Sequence, residues 1–170
     1  HRLLHGQVAF SWTGYLGANC ILIANDEAVV DDLKKTTLRL AKPSGCKLVI
    51  KSIEDSIKAI NAGKTDKYDL FIVVDKVADA YRLAKAVDRI ETVNIGGLKA
   101  TEKTHPHPAN NNINFTDEDE QQLTELKNMG KSIDLKLHGV CYAHQHIDLR
   151  LHIRVASDKP LIIQNFSNRI

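Results

Sequence analysis

Residues 68–75 read YDLFIVVD, a nearly continuous apolar run closed by an acidic residue. Such a run is typical of a parallel strand that is covered on both faces, because polar side chains do not alternate along it. Shorter apolar runs occur at 20–24 (CILIA) and 47–51 (KLVIK), and TVNIGG at 92–97 reads as a strand that enters a glycine turn. We predict that these four segments belong to one sheet.

Helical patterns separate these strands. Three helices are predicted between them, over 26–41, 53–62 and 76–88, and a fourth, with Thr116 as its N-cap, over 117–129. The apolar face expected for the first of them consists of Val29, Val30, Leu33, Thr37 and Leu40.

Strands and helices that alternate through short connections predict an α/β fold with an open, mainly parallel β-sheet and helices on both faces. KSIDLKL at 131–137 alternates as an edge strand does, and an antiparallel pairing of that edge is left open. Residues 98–115 read as a loop with a short strand near Ile113. Residues 138–170 have no clear period. We therefore expect a main domain over 1–137 and an atypical C-terminal segment over 138–170.

Composition narrows the function classes. The net charge of the 170 residues is only +2 and the basic residues are scattered, which does not favour a nucleic-acid partner. No apolar run approaches the roughly 18 residues of a membrane span, so we expect a cytoplasmic protein. Cys20, Cys46 and Cys141 have no CxxC spacing, which argues against a disulfide framework or a zinc site. We expect Cys20 and Cys46 to be buried.

His5 is the residue with the clearest chemistry. It precedes Gly6 and an apolar-periodic helix predicted over 7–17, and Arg2 lies three residues before it. Backbone N–H groups at a helix start attract phosphate, a glycine allows close approach, and a guanidinium binds two phosphate oxygens. An imidazole with an ordinary pKa of about 6.5 is mostly neutral near pH 7 and can attack phosphorus. The pattern fits a histidine that carries a phosphoryl group. By the pattern alone, however, a histidine before a helix is more often a polar loop residue without a catalytic role. Trp12 is expected in the core or at an interface.

Three motifs carry a family resemblance: RLLHGQV at 2–8, ILIANDE at 21–27 and VNIGG at 93–97. In this order they resemble the IIB components of the mannose, fructose and sorbose family of bacterial sugar phosphotransferase systems. The resemblance implies an open, mainly parallel α/β sheet with the histidine on the loop after the first strand. Family members carry that strand before RLxH, whereas here His1 directly precedes Arg2, so we expect the strand to be missing from 1–137.

The resemblance also implies a reaction and its partners. His5 would receive a phosphoryl group from a phosphohistidine of the IIA domain and pass it to a sugar held by the membrane components IIC and IID. Arg2 would bind the phosphoryl oxygens, and Gly6 and Gln7 would offer backbone N–H groups. The chain would be a protein-histidine:sugar phosphotransferase without metal or organic cofactor, held at the inner membrane face by its permease partners and able to form a homodimer. A non-transferring remnant, or a regulatory docking protein with an anion-binding α/β fold, is the alternative.

Other polar residues have a structural and a functional interpretation. Asn25 and Asp26 follow a predicted strand, where we favour helix capping over a place at the border of the His5 pocket. Asn94 and Gly96, with Gly97, form a turn that either borders this pocket or lies beside it. Four histidines could be metal ligands, but we expect them in solvated loops: His105, His107, His144 and His146. We expect the acidic run 117–120 to form a solvated helix start rather than a metal site.

Overall fold

Strands and helices alternate along the described part of the chain. The structure is a computed structural model and describes residues 4, 6–96, 98, 100–108, 110–135 and 162–165. Side chains are described for all of these except 6–8, 110–112 and 162–165. The helices are α1 (Gly6–Leu16), α2 (Asp32–Leu40), α3 (Ile53–Asn61), α4 (Val77–Ala86) and α5 (Asp117–Asn128). The strands are β1 (Cys20–Ala24), β2 (Lys47–Lys51), β3 (Leu70–Val74), β4 (Thr92–Ile95), β5 (His105–His107), β6 (Asn110–Phe115), β7 (Ser132–Asp134) and β8 (Ile162–Asn165).

Six of these strands form one sheet in the order β2-β1-β3-β8-β4-β7, and every pairing between them is parallel. The α/β class and the parallel sheet predicted from the sequence are confirmed. The antiparallel edge strand left open above is wrong, because β7 pairs parallel with β4. Antiparallel pairing occurs instead in a separate hairpin, β5 with β6, where Ile113 is fully buried.

The middle of the sheet contains a strand that the sequence did not predict. Strand β8 comes from the segment 138–170 and lies between β3 and β4, where Ile163 is in register with Ile72 on one side and Val93 on the other. A parallel strand in this position hydrogen-bonds along both of its edges. Part of the tail is thus a strand of the main sheet. The domain boundary expected at 137 stays a prediction.

The two faces of the sheet are covered by different helices. Ile21, Ile23, Phe71 and Val73 pack with α1 and α2, whereas their neighbours in sequence, such as Leu22 and Ile72, pack with α3, α4 and α5. This separation follows from the alternation of side chains along a strand. Trp12 of α1 is 1% exposed and stacks on Phe71 with ring centroids 6.2 Å apart, so it is a core residue.

The predicted Thr116 cap of α5 is confirmed, and α3 begins after a Ser52 cap. Ser52 accepts a hydrogen bond from the backbone N–H of Asp55, and Thr116 forms a reciprocal capping box with Asp119. Cys20 and Cys46 are buried free thiols, as expected, and Cys141 lies outside the described residues. No described helix is long and apolar enough to cross a membrane.

The helix predicted over 26–41 is wrong in its start and in its buried face. It begins at Asp32 with Asp31 as N-cap. Val30, Leu33 and Leu40 are 80%, 78% and 83% exposed, and Leu38 is its buried residue. Apolar residues lie on more than one side of this segment, and the periodicity alone does not select the side that meets Ile21 and Ile23.

Candidate functional site

The start of α1 lies at the carboxyl edge of the sheet. Helix α1 ends at Leu16, the chain turns through Gly17 with φ 62°, and β1 begins at Cys20. Because this connection is tight and α1 packs flat on the sheet through Trp12, the helix runs antiparallel to β1. Eleven helical residues and five strand residues both span roughly 16 Å. The first turn of α1 therefore lies beside the ends of the strands, where open α/β sheets bind ligands.

Leu4 fixes the chain just before this helix. Its side chain is 1% exposed and belongs to the apolar cluster that contains Ala9, Trp12 and Val73. Gly6 and Gln7 open α1, and the first backbone N–H groups of any helix have no partner within it. Arg2, His5 and Gly97 lie outside the described residues. The phosphate-binding roles of Arg2, Gly6 and Gln7 consequently remain predictions.

Asn25 and Asp26, which follow β1, both act as caps. Asn25 is 2% exposed, and its Oδ1 accepts a hydrogen bond of 2.7 Å from the N–H of Ala28. Asp26 Oδ1 accepts a bond of 2.8 Å from Ile53, the first residue of α3, and Oδ2 accepts one of 3.0 Å from Arg82. The N–H of Ile53 and the guanidinium of Arg82 hold the pKa of Asp26 below its usual value. Both side chains thus order the loops at the carboxyl edge.

Asn94 and Gly96 stand at the end of β4 and are buried. Val93 and Ile95 pack with the α3–α5 side, so the alternation of the strand directs Asn94 to the opposite face, on which α1 packs. Its register partner on β7 is Asp134, a carboxylic acid that is only 4% exposed. Sequence reasoning missed Asp134, although an acidic residue between apolar ones in a short strand was a signal for it.

Asp75 is a further acidic residue at this edge that the sequence prediction did not single out. It follows Phe71 and Val73 at alternate positions, so it continues the sheet face that α1 covers. Burial raises the pKa of its carboxyl group. Glu27 nearby is paired with Lys34 at 3.2 Å and Lys76 at 3.0 Å, and these two ammonium groups lower its pKa. An acid that closes an apolar strand at a carboxyl edge was the signal available for Asp75.

The model of the family described as PTS system sorbose subfamily IIB component matches residues 1–150. The chain belongs to this family. The matched residues include the RLLHGQV motif and the carboxyl-edge residues Asn25, Asp26, Asn94 and Gly96.

Individual IIB relatives agree. A probable phosphotransferase enzyme IIB component of Streptococcus pyogenes is 42% identical over 105 residues, which are 62% of this chain and 64% of that protein. A sorbose-specific EIIB component of Lacticaseibacillus casei is 30% identical over 137 residues, or 80% of this chain and 82% of that protein. The crystal structure of the IIB domain of the sorbose permease of Klebsiella pneumoniae aligns with a TM-score of 0.72 at 26% identity, covering 80% of this chain and 82% of that one.

His105 and His107 lie on the β5–β6 hairpin, outside the family motifs. His105, on the β5–β6 hairpin, has Nε2 3.4 Å from a carboxylate oxygen of Asp117 and Nδ1 3.9 Å from one of Glu120. His107 on the same hairpin packs edge-on against Phe115. Within the ranges that the structure describes, no three His, Cys, Asp or Glu side chains are grouped as metal ligands. His144 and His146 lie outside those ranges.

Proposed function

We propose that this chain is the phosphocarrier of a sugar phosphotransferase system. His5 accepts a phosphoryl group from the phosphohistidine of a IIA domain and passes it to a sugar during uptake, so the chain acts as a protein-histidine:sugar phosphotransferase. The observation that carries the proposal is the family match over 1–150, which includes the RLLHGQV motif. The position of the α1 start at the carboxyl edge of the sheet supports it, because that start offers unpaired backbone N–H groups to a phosphate.

Two in-line displacements make up the reaction. A ring nitrogen of neutral His5 attacks the phosphorus, a new N–P bond forms, and the N–P bond to the IIA histidine breaks. A sugar hydroxyl then attacks the same phosphorus, the bond to His5 breaks and leaves its ring nitrogen neutral, and the hydroxyl proton passes to water. Arg2 and the N–H groups of Gly6 and Gln7 hold the phosphoryl oxygens in both steps. Catalysis comes from positioning and from fixed positive charge, which suits a transfer in which the protein supplies no redox chemistry.

The same positive field serves both forms of His5. A guanidinium and a helix N-terminus disfavour the imidazolium, so we expect the pKa of His5 to lie below its ordinary value. This keeps the nucleophile neutral near pH 7. Once the phosphoryl group is attached, its negative charges are stabilised by the groups that lowered the pKa. Asn25, Asp26, Asn94 and Gly96 border the pocket in this proposal.

The IIA domain docks over the start of α1. Trp12 is buried and does not reach a partner, but Phe10, one helical turn beyond Gly6, is 73% exposed. An exposed aromatic ring beside the reacting group is typical of a small transient interface.

The later partners are the membrane components IIC and IID and the sugar they hold, and the chain is peripheral to the inner face of the membrane through them. Self-association as a homodimer belongs to the same proposal.

Phosphoryl transfer from IIA tests the function. The chain is incubated with radiolabelled phosphoenolpyruvate, the general phosphotransferase proteins and IIA. We expect a label that is labile in acid and stable in base on the wild type and on His105→Ala, and none on His5→Ala. His105→Ala is the matched control because that histidine is partly exposed on a separate hairpin.

Absence of label on the wild type, with IIA fully charged, contradicts the phosphocarrier proposal. If the unlabelled chain still binds IIA, the regulatory docking protein is the correct function. If the chain neither takes up label nor binds IIA, it is a non-transferring remnant.

A further inference from the structure

A second concave site lies along the edge strand β2, beneath α3. It encloses about 540 Å³ and has an apolar floor formed by Leu22, Val49 and Leu70. Cys20, Lys47 and Leu70 are in register and each begins its strand, so the cavity reaches the amino edge of the sheet. It also lies on the α3 face, whereas α1 packs on the other face. The cavity is therefore distinct from the carboxyl-edge site.

The walls of this cavity are strongly basic. Five lysines line it, and Asp55 is the carboxylate among its lining residues; the lysines are Lys47, Lys51, Lys58, Lys64 and Lys67. Lys58 is neutralised by Glu54, with an N–O distance of 2.6 Å. The other four form no ion pair with any residue that the structure describes. We call this site the lysine cavity.

The carboxylates in and near the lysine cavity offset its charge only in part. Asp55 is the carboxylate among its lining residues, against five lysines, and Asp66 nearby is paired with Arg89 at 2.6 Å. Asp69 accepts a hydrogen bond of 2.9 Å from the side chain of Asn19. Like charges that line a concave, partly apolar wall repel one another and raise the local positive potential. An anion that enters the cavity relieves this repulsion, which is the physical reason to expect one.

Tyr68 gives the lysine cavity a flat wall. Its ring packs against the apolar core, and its hydroxyl accepts a hydrogen bond of 2.7 Å from Lys47. The ammonium groups of Lys47 and Lys67 lie 4.8 and 5.3 Å from the ring centroid. The ring is thereby held beside the positive groups, and an apolar ligand body can lie against it.

We propose that the lysine cavity binds a phosphate monoester of a small ring compound. The phosphate meets the lysine ammonium groups, and the organic body covers the apolar floor and Tyr68. The volume of about 540 Å³ is that of a small-molecule site and is too small for a folded partner. Sugar phosphates and nucleoside monophosphates share this chemistry. The proposal is independent of phosphoryl transfer at His5.

Calorimetric titration of the full chain tests the proposal. The probes are fructose phosphate, adenosine monophosphate, inorganic phosphate and neutral fructose. We expect saturable binding of one ester with one site per chain, weaker binding at higher salt, and tighter binding than inorganic phosphate or fructose. The ester that binds more tightly identifies the source of the ligand. Binding by His5→Ala equals that of the wild type, which separates this site from the phosphocarrier site.

Paired substitutions assign the binding to the cavity. The double variant Lys51→Gln/Lys64→Gln removes two ammonium groups that make no described ion pair, and we expect affinity to fall at least about tenfold. Lys103→Gln/Lys127→Gln removes the same charge from exposed positions on a loop and on α5, and leaves affinity unchanged. No saturable binding of either ester, equal losses in the two double variants, or inorganic phosphate binding as tightly as the esters overturns the proposal.

Discussion

Asn25 is a buried side chain that caps the turn after β1. Its Oδ1 satisfies the N–H of Ala28, and the side chain is 2% exposed. In Asn25→Ala that N–H is left without a partner in a buried place, and we expect the free energy of unfolding to fall by about 1–3 kcal/mol. Urea denaturation measures the change. Asn61→Ala, which removes an exposed amide that donates to Ala86, is the control and is expected to lose less than about 1 kcal/mol.

Equal losses in the two asparagine variants contradict this account of Asn25. Transfer activity adds a second readout. If Asn25 borders the His5 pocket in addition to capping, the transfer rate of folded Asn25→Ala falls as well. An unchanged rate restricts Asn25 to capping.

At the residue scale, the RLLHGQV motif predicts His5 and Arg2 as site residues, and their roles stay predictions. The helix start that follows the motif is confirmed, because α1 begins at Gly6. The sequence could not show that Asp75 and Asp134 share the carboxyl edge with Asn25 and Asn94. Their proximity depends on the pairing of strands far apart in the chain.

The loop after β1 and helix α3 are joined by Asp26. Its pKa is lowered, first by the hydrogen bond from the N–H of Ile53 and then by Arg82. A carboxylate with a lowered folded-state pKa stabilises the fold above its unfolded value of 3.8, and this stabilisation is lost as the pH falls through the folded pKa. We expect Asp26→Asn to lower the free energy of unfolding by about 0.5–1 kcal/mol at neutral pH, and this difference shrinks as the pH falls below 3.8.

Thermal or urea unfolding across this pH range checks the prediction. Asp88→Asn is the control, because Asp88 is exposed and its side chain makes no bond or ion pair with the described residues. A loss in Asp26→Asn that is the same at neutral and acid pH contradicts an electrostatic role. In that case the effect comes from the shape of the side chain.

At the scale of elements, buried strands were the most predictable parts. Strands β1 and β3 are wholly buried, and short continuous apolar runs are typical of such strands. Helix α2 was mispredicted because Asn25 and Asp26 looked like its cap. In the fold Asn25 caps the turn that precedes α2 and Asp26 caps α3, so the helix starts later, at Asp32. Helix α1, predicted over 7–17, spans Gly6–Leu16, and its Phe10 is exposed.

The whole molecule depends on β8, which joins two parts of the sheet. It pairs through four residues with β3 and through four with β4. Without it, both neighbouring strands have unpaired backbone groups at the centre of the sheet. We expect removal of 162–170 to lower the melting temperature and to reduce hydrogen-exchange protection most in β4 and β7, which lie beyond β8.

Removal of 166–170 alone is the control, since it leaves β8 in place, and we expect it to have little effect. Ile163→Pro gives an independent check, because proline removes a backbone donor from the middle of the strand. A melting temperature that is unchanged after removal of 162–170 contradicts the central role of β8. The sequence could not predict this strand because 138–170 has no clear period, and its pairing is with residues far away in the chain.

Localising the phosphoryl group is the most direct test of the phosphocarrier proposal. The chain is charged through IIA, kept at alkaline pH, and its peptides are analysed by tandem mass spectrometry. The account predicts one phosphoryl group per chain, on the peptide that contains His5. Phosphate on another of the eight histidines, or on none of them while IIA is charged, contradicts it.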